Sequence, residues 1–321
     1  MALVLREADV KSLISMPEVV NWVEETTRSY GLGRARNVPR QRVRFPKGWL
    51  HVLPAGDQEL GVLGLKCYTS FKEGNRFMII LYSADNGQLL ALVEANYLGM
   101  MRTGAMSGVA TRYMARTDAD VMAIIGTGWQ ARGQVLGVAA VKPLKQVLVF
   151  SKDPAERQQA FASELSAMTG VHTQVAETAE AAVEAASIVS TATVSVEPVF
   201  KREALRPGTH INAIGSNALH RKELDERLVG RANLVVVDSR AQARQESGDL
   251  LGPVERGWME WDNLPELSDV ILGRVSGRQK DTDITIFESH GLGLQDVAVA
   301  AHVYQKAKEK GLGEEIKLLD L

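Results

Sequence analysis

The chain has 321 residues, 45% of them apolar and 24% charged, a balance that suits about two globular cores and excludes a disordered or fibrous chain. Its 37 basic and 39 acidic residues leave a formal charge of −2, with no long block of either sign, so neither nucleic acid nor an anionic membrane surface is an expected partner. The single cysteine, Cys67, excludes a disulfide within the chain and a thiolate zinc site; with no secretory leader and no apolar run of about 18 residues, the expected setting is soluble and cytoplasmic.

In chain order, Pro17 opens a predicted helix whose Val19, Val20, Val23, Thr27 and Tyr30 share one face, and Gly31 and Gly33 mark its end. Strand-like runs are predicted at Gln41–Phe45, Trp49–Leu53, Val62–Tyr68, Phe77–Tyr82 and Leu89–Glu94. Asp85-Asn86-Gly87 is the hairpin signal between the last two. A long helix follows over about 97–115, and its small residues Gly104, Ser107, Gly108 and Thr111 announce a close neighbour.

From about residue 118 the pattern changes to short β-branched runs alternating with Ala-rich helical stretches, the mark of a parallel sheet wrapped by helices. Strands are predicted at Val121–Ile125, Val147–Phe150, His172–Val175, Ile188–Thr191, His210–Ile214, Leu234–Val237 and Ile284–Phe287. Asp153 and Thr178 suit N-caps of two intervening helices. A final helix near 295–310 can return to the first unit. The expected fold is α/β: a doubly wound parallel Rossmann sheet at 116–296, inserted in an α+β domain made of 1–115 plus 297–321.

The strand Val121–Ile125 runs directly into Gly126-Thr127-Gly128-Trp129-Gln130-Ala131 and a helix, the context that a dinucleotide-binding Gly-x-Gly-x-x-Ala turn requires. Gly126 permits the tight turn, Gly128 lets backbone N–H groups approach a pyrophosphate, and Ala131 allows helix and sheet to pack closely. About 20 to 25 residues after the first Gly, NAD-dependent domains place an acid for the ribose 2′-hydroxyl. Here Ser151 and Lys152 follow the second strand. A hydroxyl and a cation suit a 2′-phosphate, so NADP(H) is preferred over NAD(H), although Asp153 lies only two positions beyond Ser151.

Five segments in order resemble the ornithine cyclodeaminase and mu-crystallin family: Met101-Arg102-Thr103-Gly104-Ala105, the Gly126–Ala131 turn, the run from Ile211 to Gly215-Ser216-Asn217, Lys222-Glu223-Leu224-Asp225, and Gly291-Leu292-Gly293-Leu294-Gln295-Asp296. The resemblance implies that the N-terminal domain, joined by the last helix, binds substrate and forms a homodimer. It implies that Arg42 and Arg102 hold a substrate carboxylate and that Lys66 lies against the reacting centre. Arg40, Arg42 and Arg44 all share one face of an alternating strand; the spacing to Pro46 favours Arg42. On the cofactor side it implies Arg102, Thr103, the turn Gly126-Thr127-Gly128-Trp129-Gln130, Ser151, Lys152, Thr191-Ala192-Thr193, Gly215, Ser216 and Gly291. It also places the Gln295-Asp296 pair near the cofactor, where Asp296 would otherwise serve as a helix cap.

One position departs from the family pattern. Asn217 stands where ornithine cyclodeaminases and alanine dehydrogenases carry an Asp, and an amide cannot take up a proton as a carboxylate does. Reduction of an imino acid needs a hydride donor, a cationic clamp for the carboxylate and a proton source beside the nitrogen. Lys66 lies in an apolar run, and burial would lower its pKa into a useful range. The expected function is an NAD(P)H-dependent ketimine reductase that takes Δ1-pyrroline-2-carboxylate or Δ1-piperideine-2-carboxylate to the L-amino acid. The alternatives are an NAD-dependent ornithine cyclodeaminase or alanine dehydrogenase, and a non-catalytic NADPH or ligand-binding protein. The six histidines show no metal-ligand spacing, so no metal is expected; His290 is expected on a surface loop, and Asp225 as a cap.

Overall fold

The structure is a computed structural model that describes residues 1–318; positions 319–321, the end of the expected 297–321 span, lie outside the described residues. The chain divides into two compact units: Met1–Arg102 with the segment from Gly291 onward, and Thr103–His290.

The first unit is built on an eight-stranded sheet. In spatial order its strands are Glu314–Ile316, Ala2–Leu5, Leu89–Glu94, Gly74–Ser83, Val62–Phe71, Gly48–Asp57 and Ala35–Asn37, with Gln41–Phe45 also paired to Gly48–Asp57. The three central strands are ten residues each, longer than the apolar alternation suggested. They pair to their ends, from Gly48↔Phe71 to Phe71↔Gly74. Three short strands have no alternation long enough to read, and their partners are distant in sequence: Ala2 pairs with Ile316 and Ala35 with Asp57. The helices Met16–Gly31 and Gly293–Lys310 meet through Trp22 stacked on His302, with ring centroids 4.5 Å apart.

The second unit is a doubly wound Rossmann sheet of seven parallel strands. Their order is His172–Val175, Gln146–Phe150, Val121–Ile125, Ile188–Thr191, His210–Ala213, Thr285–Glu288 and Leu234–Val237. The winding reverses between Val121–Ile125 and Ile188–Thr191, and the carboxyl ends of such a pair form the crevice where open α/β sheets bind ligands. Its core is aliphatic, with Met122, Ile124, Val135, Val149 and Ile188 fully buried.

The helix Asn96–Met114 carries the chain from one unit to the other. The changeover falls at 102/103, where composition suggested 115/116, because the later turns of this helix pack on the helix Trp129–Ala139. A Cβ added at Gly104 would lie 1.9 Å from the Gly133 carbonyl oxygen, and one at Gly137 would lie 1.9 Å from that of Gly104. Backbone touches backbone there. A buried polar chain fixes the same helix to the sheet: Asn212 Nδ2 donates to Thr111 Oγ1 at 3.0 Å, and its Oδ1 lies 3.2 Å from His210 Nε2.

Candidate active site

In the first unit, the middle of the Val62–Phe71 strand points Lys66 at the first turn of the Gly293–Lys310 helix. Lys66 Nζ donates to Asp296 Oδ1 at 2.9 Å, and Arg102 Nε donates to the same oxygen at 3.0 Å. Arg102 Nη1 also donates to Gln295 Oε1 at 3.0 Å. Asp296 is fully buried, so it joins two cations out of water instead of capping its helix as sequence position suggested. Lys66 is 4% exposed. Burial lowers its pKa to about 8, with Arg102 and Arg40 pushing the same way and Asp296 opposing them.

Of the three arginines, Arg42 and Arg44 lie in the strand Gln41–Phe45 and Arg40 immediately precedes it, and they differ in depth. Arg40 is buried and its Nη2 donates to the Gly291 carbonyl at 3.3 Å, Arg42 is half-buried, and Arg44 is exposed with its guanidinium 4.5 Å from the Trp49 ring centroid. Arg40 thus lies deeper than Arg42, the residue favoured by spacing. Tyr68 and Phe77 border Lys66, whose Nζ stands 5.8 and 5.2 Å from their ring centroids. Asp296 Oδ2 and Gln295 Nε2 are buried without a hydrogen-bond partner among the described residues. Lys66 and Arg102 share one carboxylate, and Arg40 adds a further positive charge that Lys66 feels; a net positive cluster of this kind suits a small carboxylate ligand.

In the second unit, Gly126 has φ 112°, and a Cβ there would stand 2.7 Å from the Ala192 carbonyl. Only glycine fits. Gly128 is the N-cap of Trp129–Ala139, and nothing lies within 4 Å of a Cβ built on it. Open space therefore faces the uncapped helix N-terminus, as a pyrophosphate cradle needs. The residues fit a dinucleotide.

Ser151 and Lys152 follow the second strand, Ser151 half-buried and Lys152 exposed. Asp153, expected as a helix cap, does not cap: Pro154 holds that position, and the Asp153 carboxylate accepts from Thr127 Oγ1 and from Ser151 Oγ at 3.3 Å. The tight turn leaves Thr127 facing it. Asp225 does cap its helix, accepting from Arg227 and Leu228 N–H.

Sequence inspection missed the role of Glu223. Its carboxylate accepts from Thr191 Oγ1 at 2.8 Å, from Thr193 N at 2.6 Å and from Gly215 N at 2.7 Å. It thereby ties together the ends of the Ile188–Thr191 and His210–Ala213 strands, where Thr191, Ala192, Thr193, Gly215 and Ser216 were expected to meet cofactor. Burial raises its pKa to about 7. Glu288 is also fully buried, and desolvation together with Asp249, Glu223 and Asp238 pushes its pKa well above the carboxylate range. His290 is buried between Asp238 and Glu288, at 3.6 and 3.9 Å, and is not on a surface loop. Asn217 Oδ1 accepts from Arg221 Nη1 at 3.1 Å, and Thr103 is buried in the first turns this unit owns.

The profile of the ornithine cyclodeaminase/mu-crystallin family matches residues 1–311. The chain belongs to that family. A Δ1-pyrroline-2-carboxylate reductase of Bacillus cereus is 35% identical over 325 aligned positions, covering 98% of this chain and 99% of the relative. The solved structure of Thermococcus litoralis Δ1-pyrroline-2-carboxylate reductase in complex with NADH and L-proline superposes with a TM-score of 0.93 at 34% identity, covering 98% of this chain and all of that one. An archaeal alanine dehydrogenase dimer with bound NAD gives 0.92 at 35% identity over 99% of both chains. Among the described residues no helix is long and apolar enough to cross a membrane.

Proposed function

We propose that the protein is a nicotinamide-dinucleotide-dependent reductase of α-imino acids, acting on a cyclic ketimine such as Δ1-pyrroline-2-carboxylate or Δ1-piperideine-2-carboxylate to give the L-amino acid. The observation that carries this reading is the buried Lys66–Asp296–Arg102 cluster, a proton donor and a carboxylate clamp in one pocket. The similarity to reductases of that substrate over nearly the whole chain supports it.

When bound, the dinucleotide supplies a hydride for the imine carbon. The chain does the rest. Arg40 and Arg102 hold the substrate carboxylate, and one fixed orientation sets the stereochemistry of the new centre. Lys66, protonated below about pH 8, gives a proton to the imine nitrogen, so that C=N becomes CH–NH and Lys66 is left neutral to recover its proton from water. Asp296 keeps the ammonium form available. Asn217 offers no base for the second amine that cyclodeamination must handle.

NADP(H) is the preferred cofactor in this proposal. Asp153 is engaged by Thr127 and Ser151, which leaves exposed Lys152 to meet a 2′-phosphate. A homodimer is supported by the sheet face opposite Lys66, where Val43, Leu50, Leu63 and Met78 are each at least 40% exposed, since apolar patches of that kind mark association surfaces. The lone cysteine fits a reducing, cytoplasmic setting. The test is Lys66→Ala and Arg102→Ala: each is expected to abolish imino-acid reduction with the circular-dichroism spectrum unchanged, and in Lys66→Ala dinucleotide binding is expected to persist as well. Wild-type rates in either variant would overturn the assignment.

A further inference from the structure

We infer that His51 is a substrate-binding residue of this site, giving a hydrogen bond from a neutral ring to the carboxylate of the imino acid. The inference rests on the reductase reading above. The strand register sets Arg42 opposite His51, His51 opposite Tyr68 and Tyr68 opposite Phe77. Lys66 is two residues before Tyr68 and shares its face of the sheet. The His51 ring stacks on Tyr68 with centroids 4.2 Å apart and planes 1° from parallel, so that face is spent on packing while the two nitrogens, at the ring edge, take no part in the stack.

His51 is 6% exposed, and neither ring nitrogen has a hydrogen-bond partner among the described residues. A neutral imidazole always carries one N–H donor and one acceptor, and burying both without partners is costly unless a ligand supplies them. The ring stays neutral because burial, then Arg40, then Arg42, lowers its pKa to about 4. It is thus no general acid at neutral pH. Arg40 acts electrostatically on both His51 and Lys66, and the strand register puts His51 and Lys66 on the same face of the sheet. A carboxylate drawn there by Arg40 and Arg102 meets an imidazole N–H whose orientation the Tyr68 stack has already fixed, so little ordering remains to be done on binding.

Two measurements test this. In His51→Phe the stack is kept and both nitrogens are removed; KM for Δ1-pyrroline-2-carboxylate should rise by about tenfold to a hundredfold, the worth of a hydrogen bond to a charged acceptor. The kcat should stay within about threefold and KM for NADPH should not move. An unchanged imino-acid KM overturns the inference. Independently of turnover, the His51 ring resonances of the wild-type protein, titrated with pH in the presence of pyrrole-2-carboxylate, should show an apparent pKa raised from about 4, because the bound carboxylate offsets the two guanidinium groups. A His51 titration that this planar acid leaves in place also overturns it. If the wild type reduces no imino acid yet pyrrole-2-carboxylate shifts His51, the reductase reading fails and the carboxylate-binding role of His51 stands.

Discussion

Replacing Asp296 with Asn removes the carboxylate that Lys66 pairs with while keeping the side chain's shape. In the wild type, Asp296 Oδ1 lies 2.9 Å from Lys66 Nζ, and its charge and hydrogen bond both raise the Lys66 pKa against the larger effect of burial. An opposite charge this close is worth about one to three pKa units. Taking roughly two, the alkaline limb of kcat/KM for the imino acid should move from about 8 to about 6 in Asp296→Asn. At pH 7.5 the protonated fraction of Lys66 then falls from about three quarters to about 3%, a loss of roughly 25-fold that recovers on acidification. The pair is buried, and removing one partner from a buried ion pair costs about 3–5 kcal/mol; release of the Lys66 proton moderates that figure. The assay is the pH profile of kcat/KM with the cofactor saturating, in wild type and variant. A variant whose limb stays near 8, whatever its absolute rate, would refute the assignment of Lys66 as the proton donor.

Two further predictions concern the second unit. Gly104→Ala drives a methyl group against the Gly133 carbonyl, 1.9 Å from its ideal position, and overpacking of this kind costs about 1–3 kcal/mol or more; thermal melting should show the loss, and an unchanged Tm would contradict the close helix contact. Glu223 is an acid whose folded pKa is raised to about 7 from 4.5, so its contribution is full below about pH 4.5 and is lost as pH rises towards 7. At roughly 1.4 kcal/mol per unit this amounts to about 3 kcal/mol. The difference in urea stability between wild type and Glu223→Gln should therefore vary with pH across that window, and a difference constant from pH 4 to pH 8 would exclude it.

The winding of the second unit was legible because six of its seven strands are short runs largely buried on both faces, the edge strand His172–Val175 being the exception, and such a succession of runs leaves few alternatives. The Gly126–Ala131 turn was legible for a related reason: only glycine tolerates the Gly126 backbone, so the sequence must display it. Lys66 and Arg102 were visible as chemistry but their bond to Asp296 was not, since Lys66 and Asp296 stand 230 positions apart and only the sheet and the last helix bring them together. Alternation sets Arg40, Arg42 and Arg44 on one face without telling depth, which depends on where the Gln41–Phe45 strand leaves the core. Asp153 was misassigned because its partner, Thr127, lies in the neighbouring turn, and His290 because Asp238 and Glu288 flank it from the ends of two strands.

The most direct test is steady-state oxidation of NADPH and of NADH by the purified protein with Δ1-pyrroline-2-carboxylate and Δ1-piperideine-2-carboxylate, with the product resolved by chirality. Turnover of a cyclic ketimine to the L-amino acid, with kcat/KM higher for NADPH, is the predicted result. Cofactor binding without oxidation by either ketimine, or release of ammonia from ornithine in a separate assay with the oxidised cofactor, would contradict it.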